Sequence, residues 1–489
     1  MTSPWTAGHL PGLAEGEVDW HVLPFGSGAQ KLDVRVPVLE PRQLGALARS
    51  VRAAARRELR TMSVSQVIRV VDAAVARLLD PADPYRQEAL RLLPTVSGYD
   101  AEMVRLGLDG YLQRFRAPQL HRFVAEDFAN PKVLDEFQPA IKGGAVRAFG
   151  PDLLLHSWAG NVPALPLWSL VCGLLVKAGT VGKLPSAEPV FASLFARLLA
   201  EVHPPLAACI SVVWWKGGDD ASAAAVIAEA DTVLAYGGND AITQLRAQVP
   251  VTTRFLGYGH KLGLGLVARA ALDTLRAPAT ARLAAHDVVR YEQQGCYSPH
   301  HFYVQKGGKV TPRDFAQYLA AELGNLQRRF PRRALALEES AGIAGWRQAA
   351  ELQSLADGGV ELLGAPDAAW SVAYSDAPQP LSPTGGGRSI FVSAVEALDE
   401  VVPLIAPHAR FLQTIGIAAE PRELHRMADV LGEAGVTRIC ALGAMTSPEA
   451  GWHHDGRFNL LDLVRMVEVE ASAERAADAL AAYAQEPQS

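Results

Sequence analysis

Between about residues 145 and 257, short β-rich runs alternate with helix-patterned stretches, and no other feature of the chain limits its fold so strongly. The runs cover 152–156, 180–183, 208–215, 232–236 and 253–257. Their spacing, roughly 20 to 30 residues, is that of βαβ units, which build a parallel sheet with helices over its faces. Further runs at 301–305, 390–393 and 437–441 predict a second α/β region. The first 140 or so residues show helical periodicity broken at Asp80-Pro-Ala-Asp-Pro84 and Ala117-Pro118, and read as packing elements more than a site. The Pro/Gly/Ser-rich stretch 365–387 predicts a long surface excursion. A helical pattern also runs through 460–482. At 489 residues the chain is too long for one ordinary core, so two or three domains are expected.

Composition excludes several classes of function. A net charge of −6 gives no general attraction for nucleic acid or an anionic membrane. Four cysteines without paired spacing make neither a disulfide framework nor a zinc site, which points to a reducing, cytoplasmic setting, and the start Met-Thr-Ser-Pro-Trp-Thr carries no signal-peptide pattern. The apolar stretch 162–176, interrupted by Pro163 and Pro166, is short for a bilayer crossing and predicts the buried start of a helix, so no membrane span is expected. Arg49, Arg52, Arg56, Arg57 and Arg60 decorate an Ala-rich helical pattern that reads as a solvated face.

The candidate nucleophile is Cys296, in Glu292-Gln-Gln-Gly-Cys-Tyr-Ser-Pro-His300, on a Gly-preceded turn between a helix-patterned stretch and a strand. Such a turn lets backbone amides converge on the sulphur, which would lower its pKa and supply an oxyanion site; the alternative is a buried structural thiol. Cys172, Cys209 and Cys440 sit in apolar runs and read as small core residues. Three further candidates follow predicted strands, where an open parallel sheet binds its ligand. Asn161 has a carboxamide able to donate to an oxyanion, or to cap a turn. Lys183 could hold a ribose or phosphate, or be a surface lysine. Gly237 and Gly238 would permit close approach of a pyrophosphate. No GxGxxG fingerprint is present. The adjacent His453-His454-Asp455 reads as polar surface, with no metal site expected.

In order and spacing, Trp158-Ala-Gly-Asn161-Val-Pro, Lys183-Leu-Pro-Ser186, Tyr236-Gly-Gly238, Leu256-Gly-Tyr-Gly-His-Lys261 and Gln294-Gly-Cys296 resemble the signature segments of the aldehyde dehydrogenase superfamily. More closely they resemble its acyl-CoA reductase branch, the fatty acyl-CoA reductases of bacterial bioluminescence (the LuxC family), over about 145–465. The resemblance implies an α/β, aldehyde dehydrogenase-like fold: a dinucleotide-binding domain with a helical N-terminal region over 1–265, a catalytic domain over 266–465, and a helical tail over 466–489 that joins a subunit interface in a homo-oligomer. It implies Cys296 as the acyl-accepting nucleophile, Asn161 with the Cys296 backbone amide as oxyanion hole, Lys183 and Ser186 at the adenosine ribose or its 2′-phosphate, and Gly237 and Gly238 against the pyrophosphate. Ser186 stands where an NAD-preferring relative has an acidic residue, which favours NADPH, with NADH as the alternative and Glu188 close by.

Two departures from the pattern matter. Gly257 replaces the glutamate that activates water in aldehyde-oxidising members, and loss of that base favours reduction of a thioester over hydrolysis. Ser382-Pro-Thr-Gly-Gly-Gly-Arg388 replaces the Glu-x-Phe-Gly-Pro segment whose glutamate anchors the nicotinamide ribose. The implied reaction is NADPH-dependent reduction of a fatty acyl thioester to the aldehyde. The substrate would be a fatty acyl-CoA or an acyl-protein, with an acyl-protein synthetase or carrier protein as partner. The competing reading is a cysteine acyltransferase or thioesterase without redox cofactor, using His300 or His301 as base.

Overall fold

In the computed structural model, which describes residues 3–28, 31–357 and 359–481, the first set of runs forms one parallel sheet. Its strands are Leu153–Ser157, Gly179–Lys183, Ile210–Val213, Thr232–Tyr236 and Arg254–Tyr258, in the spatial order fifth, fourth, first, second, third. The first four are buried apart from the half-buried last residue of three of them, as near-continuous apolar runs require when helices cover both faces. The order reverses between Leu153–Ser157 and Thr232–Tyr236, so the crevice beyond their C-terminal ends is the natural ligand position. The expected run 208–215 ends early, at Val213, which leaves Trp214 and Trp215 on the loop that follows.

The second sheet has seven strands, in the order Glu361–Leu363, Ser371–Ser375, Ser389–Val395, Pro299–Gln305, Leu262–Val267, Leu412–Ala418, Arg438–Ala441. All pairings are parallel except that of Glu361–Leu363 with Ser371–Ser375. Central Pro299–Gln305 is buried along its whole length. The chain crosses from the first sheet to the second through Gly259-His260-Lys261 alone, so the C-terminal edge of one sheet faces the N-terminal edge of the other across a cleft.

Four expectations are corrected. The N-terminal region is largely helical, but Trp5–Thr6, Asp19–Phe25 and Leu32–Val38 form a three-stranded sheet. The stretch 365–387 is not all surface: it contains the fully buried strand Ser371–Ser375, whose five residues are too few to outweigh the Pro- and Gly-rich flanks. The stretch 460–482 is interrupted by the strand Arg465–Val469, which pairs with Ala145–Phe149 before the helix Ala471–Leu480; residue 482 lies outside the described residues. The arginine-bearing helix Pro41–Arg57 is not a freely solvated face. It buries Leu44, Leu47, Ala48 and Val51 while Arg49 pairs with Glu229, and Arg56 and Arg60 with Asp152. By contrast, the helix Pro166–Leu175 is buried throughout, as the apolar stretch 162–176 predicts. Among the described residues no helix is long and apolar enough to cross a membrane.

Candidate active site

Helix Arg276–Val289 ends just before three consecutive non-glycine residues in the left-handed region, Tyr291, Glu292 and Gln293, with φ of 53°, 54° and 61°. Each such residue costs on the order of 1–3 kcal/mol, so the surroundings must impose the conformation. They do so with buried polar groups. Glu292 and Arg388, 1% and 0% exposed, form a two-pronged ion pair at 2.8 and 2.9 Å. Arg388 also donates to Gln327 Oε1 at 2.6 Å and to the Phe330 carbonyl at 2.7 Å. Gln293 Nε2 donates to the carbonyls of Pro299 and Ser389, while its Oε1 accepts from Ser389 N at 2.9 Å. The segment 382–388, which departs from the relatives' pattern, therefore grips the nucleophile loop from behind, and Thr384 N adds a bond to His300 Nδ1. The loop then turns through Gly295–Ser298, closed by Ser298 N to Gly295 O at 3.0 Å, with Cys296 inside the turn.

Cys296 lies where two cavities share a wall. The larger, about 410 Å³, is the cleft between the sheets, lined among others by Asn161, Gly237, Gly238, Lys261, His300 and Cys296. The smaller, about 60 Å³, is mostly aromatic: Tyr111, Trp168, Tyr236, Tyr291, Tyr297 and Trp452 surround it together with Arg114 and Arg290. Gly107 lies here because a Cβ at that position would stand 2.5 Å from Tyr291 Oη. Gly107, Tyr111 and Arg114 show that the N-terminal helices, read from sequence as packing, form part of the site.

The sulphur's surroundings correct the expectation of a lowered pKa. Burial, followed by the nearby Asp455 carboxylate, pushes the Cys296 thiol up to about 11, against a hydrogen bond from Gln413 Nε2 to Sγ at 3.4 Å. Two further residues from the supposed polar surface lie close to the sulphur: His454 is buried in the shared wall, and Asp455, half-buried, stands behind it. His454 stacks on Tyr258 with ring centroids 4.3 Å apart and packs on Trp452, and burial lowers its pKa to about 4. Neither proposed histidine base reaches the sulphur: His300 bonds to Thr384 and His301 to Ser393 Oγ at 2.8 Å, and both are buried and held well below the usual histidine range.

Asn161, on the loop after Leu153–Ser157, donates from Nδ2 to the Gln294 carbonyl at 2.6 Å, which ties it to the nucleophile loop; its Oδ1 is buried with no partner among the described residues. Tyr99 Oη lies 2.8 Å from the Asn161 carbonyl and 3.1 Å from that of Tyr291, bracing both loops from the N-terminal region. Gly237 and Gly238 follow Thr232–Tyr236 directly, and the helix Asn239–Gln248 starts there; nothing lies within 4 Å of where a Gly238 Cβ would project. Lys183 and Ser186 do not line the cleft. Lys183 ends the neighbouring strand, its Nζ 5.6 Å from the Trp215 ring and its pKa lowered by burial, and exposed Ser186 accepts a hydrogen bond from Trp214 Nε1 at 3.0 Å. Glu188 is turned inward: its Oε1 accepts from Val190 N and Phe191 N at the start of helix Phe191–Val202, and burial raises its pKa to about 7. At Gly257 a Cβ would meet Ile242 Cγ2 and a Phe255 ring carbon, each at 2.9 Å, so this position faces the neighbouring helix rather than the cleft.

Gln413, Asp455, Glu292 and Arg388 escaped sequence reasoning. Gln413 sits in an unremarked strand, and the pairing of Glu292 with Arg388 spans almost a hundred positions, so neither left a local signal.

Comparison with known proteins gives the family and the fold. The family described as acyl-CoA reductase (LuxC) matches residues 59–466. The long-chain acyl-protein thioester reductase of Aliivibrio fischeri is 28% identical over 394 residues, covering 79% of this chain and 78% of the relative. Among solved structures, the aldehyde dehydrogenase KauB from Pseudomonas aeruginosa superposes with a TM-score of 0.75 at 14% identity, covering 96% of this chain and 97% of that one. The NADP-dependent glyceraldehyde-3-phosphate dehydrogenase from Bacillus halodurans C-125, complexed with NADP, gives a TM-score of 0.70 at 12% identity over 93% of this chain and 96% of that one. The fold is that of the aldehyde dehydrogenases.

Proposed function

The chain belongs to the acyl-CoA reductase (LuxC) family within the aldehyde dehydrogenase superfamily, and from that premise we propose that it reduces a fatty acyl thioester to the aldehyde through an acyl group carried on Cys296. The observation that supports this most is the position of Cys296, with an aromatic cavity on one side and a glycine-lined cleft of about 410 Å³ on the other. The aromatic side, at about 60 Å³, takes the first carbons of the acyl chain beside the carbonyl. Cys296 attacks the thioester carbonyl, a new C–S bond forms as the old one breaks, and the proton lost by the Cys296 thiol is the one the departing thiolate takes up. Asn161, tied to the nucleophile loop, supplies a carboxamide N–H to the carbonyl oxygen as negative charge builds on it.

The cleft fits a nicotinamide dinucleotide on two counts: an open Gly237-Gly238 cradle at the start of a ten-residue helix, and a buried Asn161 Oδ1 with no partner among the described residues. When bound, the reduced dinucleotide would supply hydride to the acyl carbon, after which the C–S bond to Cys296 breaks, the aldehyde leaves and the sulphur departs as thiolate and regains a proton. Lys183 and Ser186, one strand further along the same edge, would hold the adenosine end, and the inward turn of Glu188 removes the nearby carboxylate that would repel a 2′-phosphate, which favours NADPH over NADH. The boundary expected at 265 falls inside the strand Leu262–Val267 of the second sheet, so the dinucleotide side ends at the 259–261 crossing and the catalytic side begins at Leu262, and we assign the C-terminal element from 466 to a homo-oligomer interface. Donors are fatty acyl-CoA or an acyl-protein, the latter being the substrate named for the Aliivibrio fischeri relative, with a synthetase or carrier protein as the partner that would bear the acyl group.

The test is NADPH consumption with a panel of acyl-CoA chain lengths, run alongside radiolabelled acyl transfer to the protein. Oxidation that depends on the thioester and yields aldehyde supports the reading. Thioester cleavage without NADPH consumption would instead establish an acyltransferase or thioesterase.

A further inference from the structure

Gln413 is the second residue of the strand Leu412–Ala418, at the N-terminal edge of the second sheet, with 1% of its surface exposed. Its side-chain amide is held at every point. Nε2 lies 3.4 Å from Cys296 Sγ and 2.5 Å from Asp455 Oδ1, so its two N–H bonds serve the sulphur and the carboxylate at once. Oε1 accepts from Thr414 Oγ1 at 3.2 Å. Rotating the amide by half a turn would set an oxygen against Asp455 and lose both contacts, so the carboxylate determines that a donor, and not an acceptor, faces the nucleophile.

Asp455 is itself fixed in an unusual conformation, with φ of 54°, and its side chain is 9% exposed. Lys261 Nζ at 4.0 Å and His454 Nε2 at 3.9 Å flank it. The other charged group near the sulphur is Arg438, whose guanidinium is spent on the carbonyls of Met445 and Ala444 and on the Trp452 face; Tyr297 adds a neutral phenol. Gln413 is therefore the one side chain among the described residues with a hydrogen bond to Sγ.

We propose that Gln413 is a catalytic residue that donates to the Cys296 sulphur and stabilises it as thiolate, with Asp455 as the positioning residue that fixes the orientation of the Gln413 amide. This rests on Cys296 being the nucleophile. It also accounts for the coexistence of a carboxylate and a nucleophilic sulphur in one buried pocket, because the amide between them satisfies the carboxylate while turning its second N–H towards the sulphur.

The experiment is the pH dependence of Cys296 alkylation by iodoacetamide in the full-length, ligand-free protein, followed by peptide mass, with acyl labelling of the wild type in parallel. Gln413→Met keeps the volume and removes the donor, and should move the alkylation midpoint up by about one pH unit, a rate about tenfold lower at any pH below it. Gln413→Glu, which puts an acceptor and a charge beside the sulphur, should move it further. Because Gln413→Met leaves Asp455 without its donor, a second pair keeps the test decisive if that variant does not fold: Gln413→Met/Asp455→Asn against Asp455→Asn, with the double variant again titrating higher. A profile for Gln413→Met that overlays the wild type, or no difference within the second pair, overturns the role of Gln413. Normal shifts in a wild type that takes up no acyl label would leave Gln413 as a thiolate donor and overturn the nucleophile reading instead.

Discussion

Gly237 and Gly238 face the cleft with almost nothing around them, and the strand before them runs straight into a regular helix. Opposite, Cys296 is reached through three left-handed residues, a fully buried ion pair and an amide locked to a carboxylate. One wall exposes backbone and stays unstrained; the other stores unfavourable conformations and holds them with buried charge. A phosphate-bearing ligand needs close approach and exposed N–H groups, which short side chains supply cheaply. A reacting atom needs a fixed position, and fixing a loop requires partners that a glycine turn lacks.

That contrast can be broken first at Cys296 itself: Cys296→Ser should abolish both aldehyde formation and acyl labelling while dinucleotide binding, measured by fluorescence titration, stays intact. Next comes the buried pair. Arg388→Met leaves Glu292 charged and unpaired at 1% exposure, which should cost about 3–5 kcal/mol in a denaturant melt, whereas a comparable substitution of the exposed Arg49, paired with Glu229, should cost about 1 kcal/mol or less. Asn161→Ala should reduce turnover by about 100- to 1000-fold, with thermal stability changed far less than by Arg388→Met. The last prediction concerns the dinucleotide side and is read against pH. The Glu188 carboxyl, raised to about 7, is protonated in the folded protein at pH values where the unfolded chain has lost that proton. Its contribution to stability is therefore complete below the usual carboxylate range and lost as pH rises towards 7, with a slope of at most about 1.4 kcal/mol per pH unit, and Glu188→Gln should flatten the melting profile between about pH 5 and 7.

The same contrast explains what the sequence disclosed. The parallel sheet and its ligand edge were legible because buried strands and the helices between them repeat along the chain, and because Asn161, Gly237 and Gly238 lie on the loops that follow strands. Strand Leu262–Val267 was hidden by its alternating glycines, and Ser371–Ser375 by the Pro- and Gly-rich residues around it. The supports of the nucleophile were illegible for another reason. Glu292 with Arg388, Gln413 with Asp455, and Tyr99 with Asn161 are pairs made by the fold between distant positions, and taken singly each residue resembles any polar side chain. The lowered thiol pKa inferred from the Gly-Cys turn failed because the turn alone does not set the dielectric around the sulphur; the aromatic wall does.

The shared wall at Cys296 has a logistical consequence. On the proposed reading, cargo and reductant reach one atom from different sides, so the dinucleotide spent in each reduction can be exchanged without disturbing the side that receives the acyl group.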